Sequence, residues 1–437
     1  MLEDQSCLVS RDCLRESNRA NCMSHRFDRI EVQHGKRPLE NDQENENVQC
    51  KFQKQSDGFK QMGFVLSEGD SLESQAQCHA GDNSDSISLI HSIGTDNSIN
   101  CLIRCSRSAY GAIASLNSSF HSLIKSGELY KLRRQNGVVE HWVYFSCQLL
   151  EWEAFDPIHV RWMHLPIMNS NECFKFSDKE SLAVGTKLLV FGKEILAHVI
   201  YCYSLLTNTW SSGMQMNAPR CLFASANLAE IAILAGGCDS QGKILCSAEL
   251  YNSELGTWKT LPSMNKPRKM CSGVFMDGKF YVIGGIGGAE SKLLTCGEEY
   301  DLEKEMWTEI PNMSPLRANA SRNDMPATSE APPLVAVAKN ELYAADYADM
   351  EVRKYDKKNK AWVTIGRLPE RIASMNGWGL AFRACGDMLV VIGGPRTMGE
   401  GHIEVNSWVP SEGPPQWNLL GRKQSGSFVY NCAVMGC

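Results

Sequence analysis

A chain of 437 residues, 43% of them apolar, is long enough for two or three packed domains. Its net charge of −6 is spread thinly, which argues against nucleic acid or an anionic membrane as a partner. No apolar run approaches the roughly 18 residues that span a bilayer. The opening residues, Met1-Leu2-Glu3-Asp4, put acids where a secretory signal needs a basic start, so the nucleus and/or the cytoplasm is the expected location.

Eighteen cysteines would suggest disulfides in a secreted chain, but a reducing compartment is the better expectation here. No C-x-x-C pair occurs. Cys101 and Cys105 lie four apart in a helical pattern with no His or Cys partner at metal spacing nearby, so they read as small buried hydrophobes ahead of zinc ligands. Neither metal nor cofactor is expected.

Residues 1–85 contain no Trp and no Tyr, and runs such as Glu40-Asn41-Asp42-Gln43-Glu44-Asn45 bury too little apolar surface to offset ordering entropy. A disordered tail is the expectation for this segment. Its Lys36-Arg37-Pro38 is a weak nuclear-import candidate beside the plainer reading of a solvated charge pair.

Residues 86–134 change character. Ile99, Leu102 and Ile103, then Tyr110, Ile113 and Leu116, then Phe120, Leu123 and Ile124 fall at spacings of three and four, the stripes of short amphipathic helices. Gly94-Thr95-Asp96-Asn97 offers a turn and N-cap, and Ser126-Gly127 breaks the chain before Glu128. A helical unit this small leans on a neighbour or partner.

From His141 onward the pattern is β. Trp162, Trp210, Trp258, Trp307, Trp362 and Trp417 recur at gaps of 48, 48, 49, 55 and 55 residues, the period of a repeat architecture. Seven residues before five of them stands an aromatic (Phe155, Tyr203, Tyr251, Tyr300, Tyr355), each followed by a turn former, which reads as strand, turn, strand. Short apolar strands precede these hairpins, and three end in Gly236-Gly237, Gly284-Gly285 and Gly393-Gly394. Glycine there allows positive φ and makes room for a neighbouring aromatic against the backbone. The first unit has strands at 142–145, 149–156 and 160–165 but lacks an inner strand, while a strand at 427–434 is left over at the other end. Joining the two closes a ring of six blades with no open edge.

The glycine doublets, the aromatic at minus seven and the period resemble kelch repeats, which form β-propellers; the resemblance covers about residues 140–437. It departs at Ser146-Cys147, Gly192-Lys193 and Ala344-Ala345 in place of glycine pairs, and at Trp408 in place of the sixth aromatic. With a propeller downstream, Cys101-Leu102-Ile103-Arg104 and Ile113 through Tyr130 look like an F-box, and the whole is similar to the plant F-box/kelch proteins. Members usually open on Leu-Pro and acids, where this chain has Ile93-Gly94-Thr95-Asp96, and carry a basic residue before the Phe, where it has Ser118-Ser119.

That resemblance implies a substrate-recognition subunit of a Skp–cullin–F-box ubiquitin ligase, not itself catalytic, with a target protein held on the propeller. It implies Leu102, Ile103, Ile113, Leu116, Phe120 and Leu123 as apolar anchors to the Skp adaptor; the same residues would also serve as the helical unit's own core. The alternative is a kelch interaction scaffold whose F-box binds no adaptor.

Arg220, Arg268, Arg317 and Arg371 follow four of the tryptophans by 10, 10, 10 and 9 residues, each in the link from one blade to the next. Converging guanidiniums would suit carboxylate or phosphate recognition on a target; a repeated brace of each link through backbone carbonyls is the competing reading. Residues 318–333 stretch one link into a surface loop suited to recognition or spacing. No phosphate loop, nucleophile elbow or paired Cys–His signature is present.

Overall fold

The computed structural model describes residues 89–437, apart from 91, 149, 171–173, 196, 289–291, 316–329, 370–375, 395–400, 412 and 427. The expected disordered tail, 1–85, therefore lies outside the described residues, as does most of the 318–333 loop.

Among the described residues four short helices come first: α1 (Thr95–Leu102), α2 (Tyr110–Ala114), α3 (Ser118–Lys125) and α4 (Glu128–Gln135), with a 3-10 turn at Arg107–Ala109. Asn117 starts α3 because its Oδ1 accepts the Phe120 N–H at 2.9 Å. α1 starts within the expected turn, its N-cap being Gly94, at φ 78° and with no side chain to offer. Gly127, at φ 83°, makes the left-handed turn between α3 and α4.

The rest is a six-bladed ring of four-stranded antiparallel sheets. Blade 1 draws on both ends of the β region: Asn431–Gly436 pairs with His141–Ser146 in the register Val143↔Val434, and Glu153–Asp156 and Arg161–His164 complete the sheet. The closing strand was expected at 427–434. Regular pairing begins only at Asn431: Val429 is bridged to blade 6, its N–H donating to Gly379 O at 3.1 Å, and Tyr430 N–H then reaches the end of the partner strand at Ser146 O, at 2.9 Å. Pairing then runs past the expected end, with Cys437 and Glu140 exchanging backbone hydrogen bonds.

Each blade's second strand is a continuous apolar run through its middle because both faces are covered there. In blade 3, Ala232 and Leu234 pack with Leu189 and Phe191 of blade 2, while Ile233 and Ala235 pack with Phe280 and Val282 of blade 4. The next blade repeats the arrangement, with Tyr281 and Ile283 facing Leu342 and Ala344 of blade 5.

The ring pairs lie where the spacing put them: centroids are 4.8 Å apart for Tyr251–Trp258, 4.9 Å for Tyr300–Trp307 and 5.9 Å for the irregular Trp408–Trp417. The indole N–H has a second task. Trp210, Trp258, Trp307, Trp362 and Trp417 donate to Pro166, Met214, Pro262, Met313 and Arg367 carbonyls, each in the chain leaving the preceding blade. The tryptophans thus pin neighbouring blades together at 2.7–3.2 Å.

Gly236, Gly237 and Gly285 meet backbone carbonyls rather than an aromatic ring, and Gly284 meets the Ser314 side chain. A Cβ on Gly236, at φ 71°, would stand 2.4 Å from the carbonyl oxygen of Arg268 in the next link.

Candidate functional site

Two surfaces carry the expected site residues. On the helical unit, Leu102, Ile103 and Phe120 are buried in one core with Leu129, Tyr130, Trp142, Tyr144, Leu188, Tyr203 and Met435. The helices are therefore seated on blades 1 and 2, and these three residues turn inward. Ile113 and Leu123 are half-buried at the edge of that core, and Leu116, just after α2, is 70% exposed. The six candidates thus divide: three inside, two at the margin, and Leu116 alone of the six facing solvent.

Two buried arginines that the helical pattern did not single out hold this unit to the ring. Arg133 donates to Ile103 O and Tyr110 Oη, both at 3.0 Å, and pairs with Glu140 at 2.9 Å. Arg107 donates to Tyr144 Oη at 2.6 Å, and its guanidinium lies 3.9 Å from the Trp142 ring centroid. Burial pushes the Tyr144 hydroxyl up to about 12, so it stays protonated and accepts from Arg107.

On the link face, Arg220 and Arg268 do not reach outward. They are 1% and 0% exposed. Arg220 donates to the carbonyls of Ala218, Gly236 and Ser247 and pairs with Glu249 at 2.7 Å. Arg268 does the same with Gly284 O, Cys296 O and Glu298, the last at 2.7 Å. Each glutamate in turn accepts two backbone N–H groups of its link, from Asn217 and Ala218 to Glu249 and from Asn265 and Lys266 to Glu298. A guanidinium so placed braces a link and offers nothing to a ligand, which corrects the expectation of a recognition role at these two positions. Arg317 and Arg371 lie outside the described residues. The glutamates had a signal: each stands two residues before its blade's tyrosine, as Glu249-Leu250-Tyr251 and Glu298-Glu299-Tyr300.

A central cavity of about 550 Å³ runs among the innermost strands, lined by Ser181, Ser225, Ser272, Val335, Arg383 and Ala433 among others. Arg383 donates there to Cys432 O and Phe382 O, both at 3.1 Å. Among the described residues no group of three His, Cys, Asp or Glu side chains is arranged to hold a metal ion.

Residues 219–265 and 267–314 match the Kelch motif family. These are blades 3 and 4, where the glycine doublet, the Arg–Glu brace and the Tyr–Trp pair occur together. Over 390 residues, 87% of this chain and 84% of the relative, the sequence is 69% identical to the F-box/kelch-repeat protein SKIP11 of Arabidopsis thaliana. The chain belongs to the F-box/kelch-repeat family. Two further F-box/kelch-repeat proteins of that plant are 61% and 65% identical, over 82% and 78% of this chain and 85% and 77% of theirs. In this F-box/kelch chain the helices over 95–135 precede the ring, which from 141 onward is the kelch propeller. The helices and the propeller fall in one compact unit.

Proposed function

We propose that this F-box/kelch chain is the substrate-recognition subunit of a Skp–cullin–F-box ubiquitin ligase, active in the nucleus and/or the cytoplasm. The F-box helices dock on the Skp adaptor, which links them to the cullin, and the propeller captures a target protein for ubiquitination. The chain performs no bond chemistry of its own; its contribution is the effective concentration of target near the ligase.

The observation that carries this reading is Leu116. A large apolar side chain 70% exposed, between two helices whose other large apolar residues are buried or half-buried, is the one of the six candidates open to a partner's pocket. Ile113 and Leu123 flank it at the core margin and would be covered by the same partner.

The test is retention of a purified Skp adaptor by the full chain, with Leu116→Glu as the comparison. Leu116 touches solvent, so the substitution leaves the fold intact and its effect reads binding directly. Retention by the native chain, weakened at least tenfold in the variant, supports the receptor reading. No retention at micromolar adaptor by a folded chain would leave the non-ligase scaffold in its place.

A further inference from the structure

Blade 3 holds two thiols in contact. Cys221 lies in the link that enters the blade, directly after the bracing Arg220, and Cys238 directly follows the glycine doublet. The two form an isolated antiparallel bridge: Cys221 N–H donates to Cys238 O at 3.0 Å, and Cys238 N–H to Cys221 O at 2.8 Å. Their Sγ atoms are 3.5 Å apart.

The repeat itself supplies this geometry. In blade 4 the same two positions, after Arg268 and after Gly285, are Lys269 and Ile286, and they make the same double bridge at 2.9 and 2.8 Å. Residues that exchange both backbone bonds stand about 5.5 Å apart at Cα, within the roughly 4.4–6.8 Å range of disulfides. Blade 3 fills both positions of a repeat-wide bridge with cysteine. The sulfurs need to close by less than the thickness of one atom, with the backbone already in register.

We propose that Cys221 and Cys238 are a reversible dithiol–disulfide pair, oxidised by a hydroperoxide, that locks the link into blade 3 to the loop between its second and third strands. One thiolate attacks the peroxide oxygen, the O–O bond breaks, and hydroxide leaves and takes up a proton, giving a sulfenic acid and water. The second sulfur then attacks the sulfenic sulfur: the S–S bond forms, the S–O bond breaks and a second water departs. Two thiols and one hydrogen peroxide thus give one disulfide and two waters. Glutathione or another thiol reverses it by exchange through a mixed disulfide.

The surroundings favour the Cys238 thiol over several more deeply buried cysteines of the ring. The hydrogen bond from Cys221 holds the Cys238 thiol below its usual range, with Lys269 and Lys193 helping against burial and Asp239. Burial instead pushes Cys271 up to about 11, and Cys147 and Cys385 to about 12, leaving them inert thiols. Cys238 is 6% exposed, but its partner Cys221 is half-buried, so a small oxidant has an approach from the Cys221 side.

Trypsin makes the test direct, because cleavage after Arg220 and Lys243 leaves both cysteines on one peptide, 221–243. The full folded chain is treated with a molar excess of hydrogen peroxide, quenched, denatured in an alkylating agent and digested. The expected result is a peptide two hydrogens lighter, resistant to alkylation and restored by dithiothreitol, while Cys271 and Cys385 alkylate fully. In Cys221→Ser the sulfenic acid at Cys238 has no partner and is trapped by dimedone. A native-chain peptide alkylated at both positions, or carried to sulfinic acid at one without a cross-link, overturns the proposal.

Discussion

Arg107 and Tyr144 join the helical unit to the ring: the guanidinium Nη2 of one, on the 3-10 turn of the helical unit, donates at 2.6 Å to the hydroxyl of the other, on the first strand of the propeller. The same guanidinium reaches the Cys437 sulfur at 3.0 Å, directly after the strand that closes the ring. A charge buried among a hydroxyl, a sulfur and an indole face is stable only while all of them are present. The helices and the ring closure therefore depend on each other.

Arg107→Met tests that dependence. The substitution keeps apolar bulk but leaves Tyr144 and nearby carbonyls without their donor, at a cost of about 1–3 kcal/mol per unpaired group. We expect a destabilisation of roughly 3 kcal/mol or more, with helical circular dichroism and tryptophan fluorescence lost in one shared transition. Helices that melt ahead of an unchanged ring would show the two parts to be independent.

Arg268 and Glu298, both fully buried, make the second prediction. Arg268→Ala strands a carboxylate inside the blade and should cost about 3–5 kcal/mol. Glu298→Gln alone should cost a comparable amount, but the double variant should fall well short of the sum, because the stranded charge is gone. Urea midpoints of the four chains close the cycle. Additive losses, or a single loss under about 1 kcal/mol, would remove the brace from the account of stability.

The propeller was legible in the sequence because its information is periodic: Trp, the aromatic at minus seven and the glycines repeat in register, and the leftover strand forces closure onto His141–Ser146. The Arg–Glu braces were half legible. Arg220 stood out by spacing, but its partner Glu249 is 29 residues away on the third strand, and only the folded blade shows that the pair is buried. The helical unit was least legible. Its helices are eight residues or shorter, so a three-and-four spacing marks apolar residues without telling which side meets the ring. Leu102 and Leu116 look alike in sequence; one is enclosed against blades 1 and 2, and the other faces water.

Glycine positions divide the same way, by what surrounds them. Gly236→Ala would drive a Cβ to 2.4 Å from Arg268 O at φ 71°, displacing a link whose own arginine is a brace. Gly256, at φ 66° in a hairpin turn, has nothing within 4 Å. Gly256→Ala should cost only the left-handed strain of an alanine, about 1–2 kcal/mol, and Gly236→Ala at least twice as much, read as the difference in thermal midpoint. Equal losses would mean that conformational strain alone governs both sites.

His141 supplies the pH prediction. It begins the first strand of blade 1, where burial and then the nearby Arg107 charge hold its imidazole below the usual range, with Asp387 opposing. The folded chain thus binds the proton more weakly than the unfolded chain, whose histidine titrates near about 6.5. At pH above that value both states are neutral at His141 and stability is flat. As pH falls below it the unfolded state takes up the proton first, and stability declines until the folded pKa is passed. His198, lowered by burial and Lys193, adds to the same slope. His141→Gln should therefore flatten the fall in urea midpoint between about pH 6.5 and 5 while leaving the neutral plateau in place. A variant that keeps the full acid slope would assign that slope to other groups.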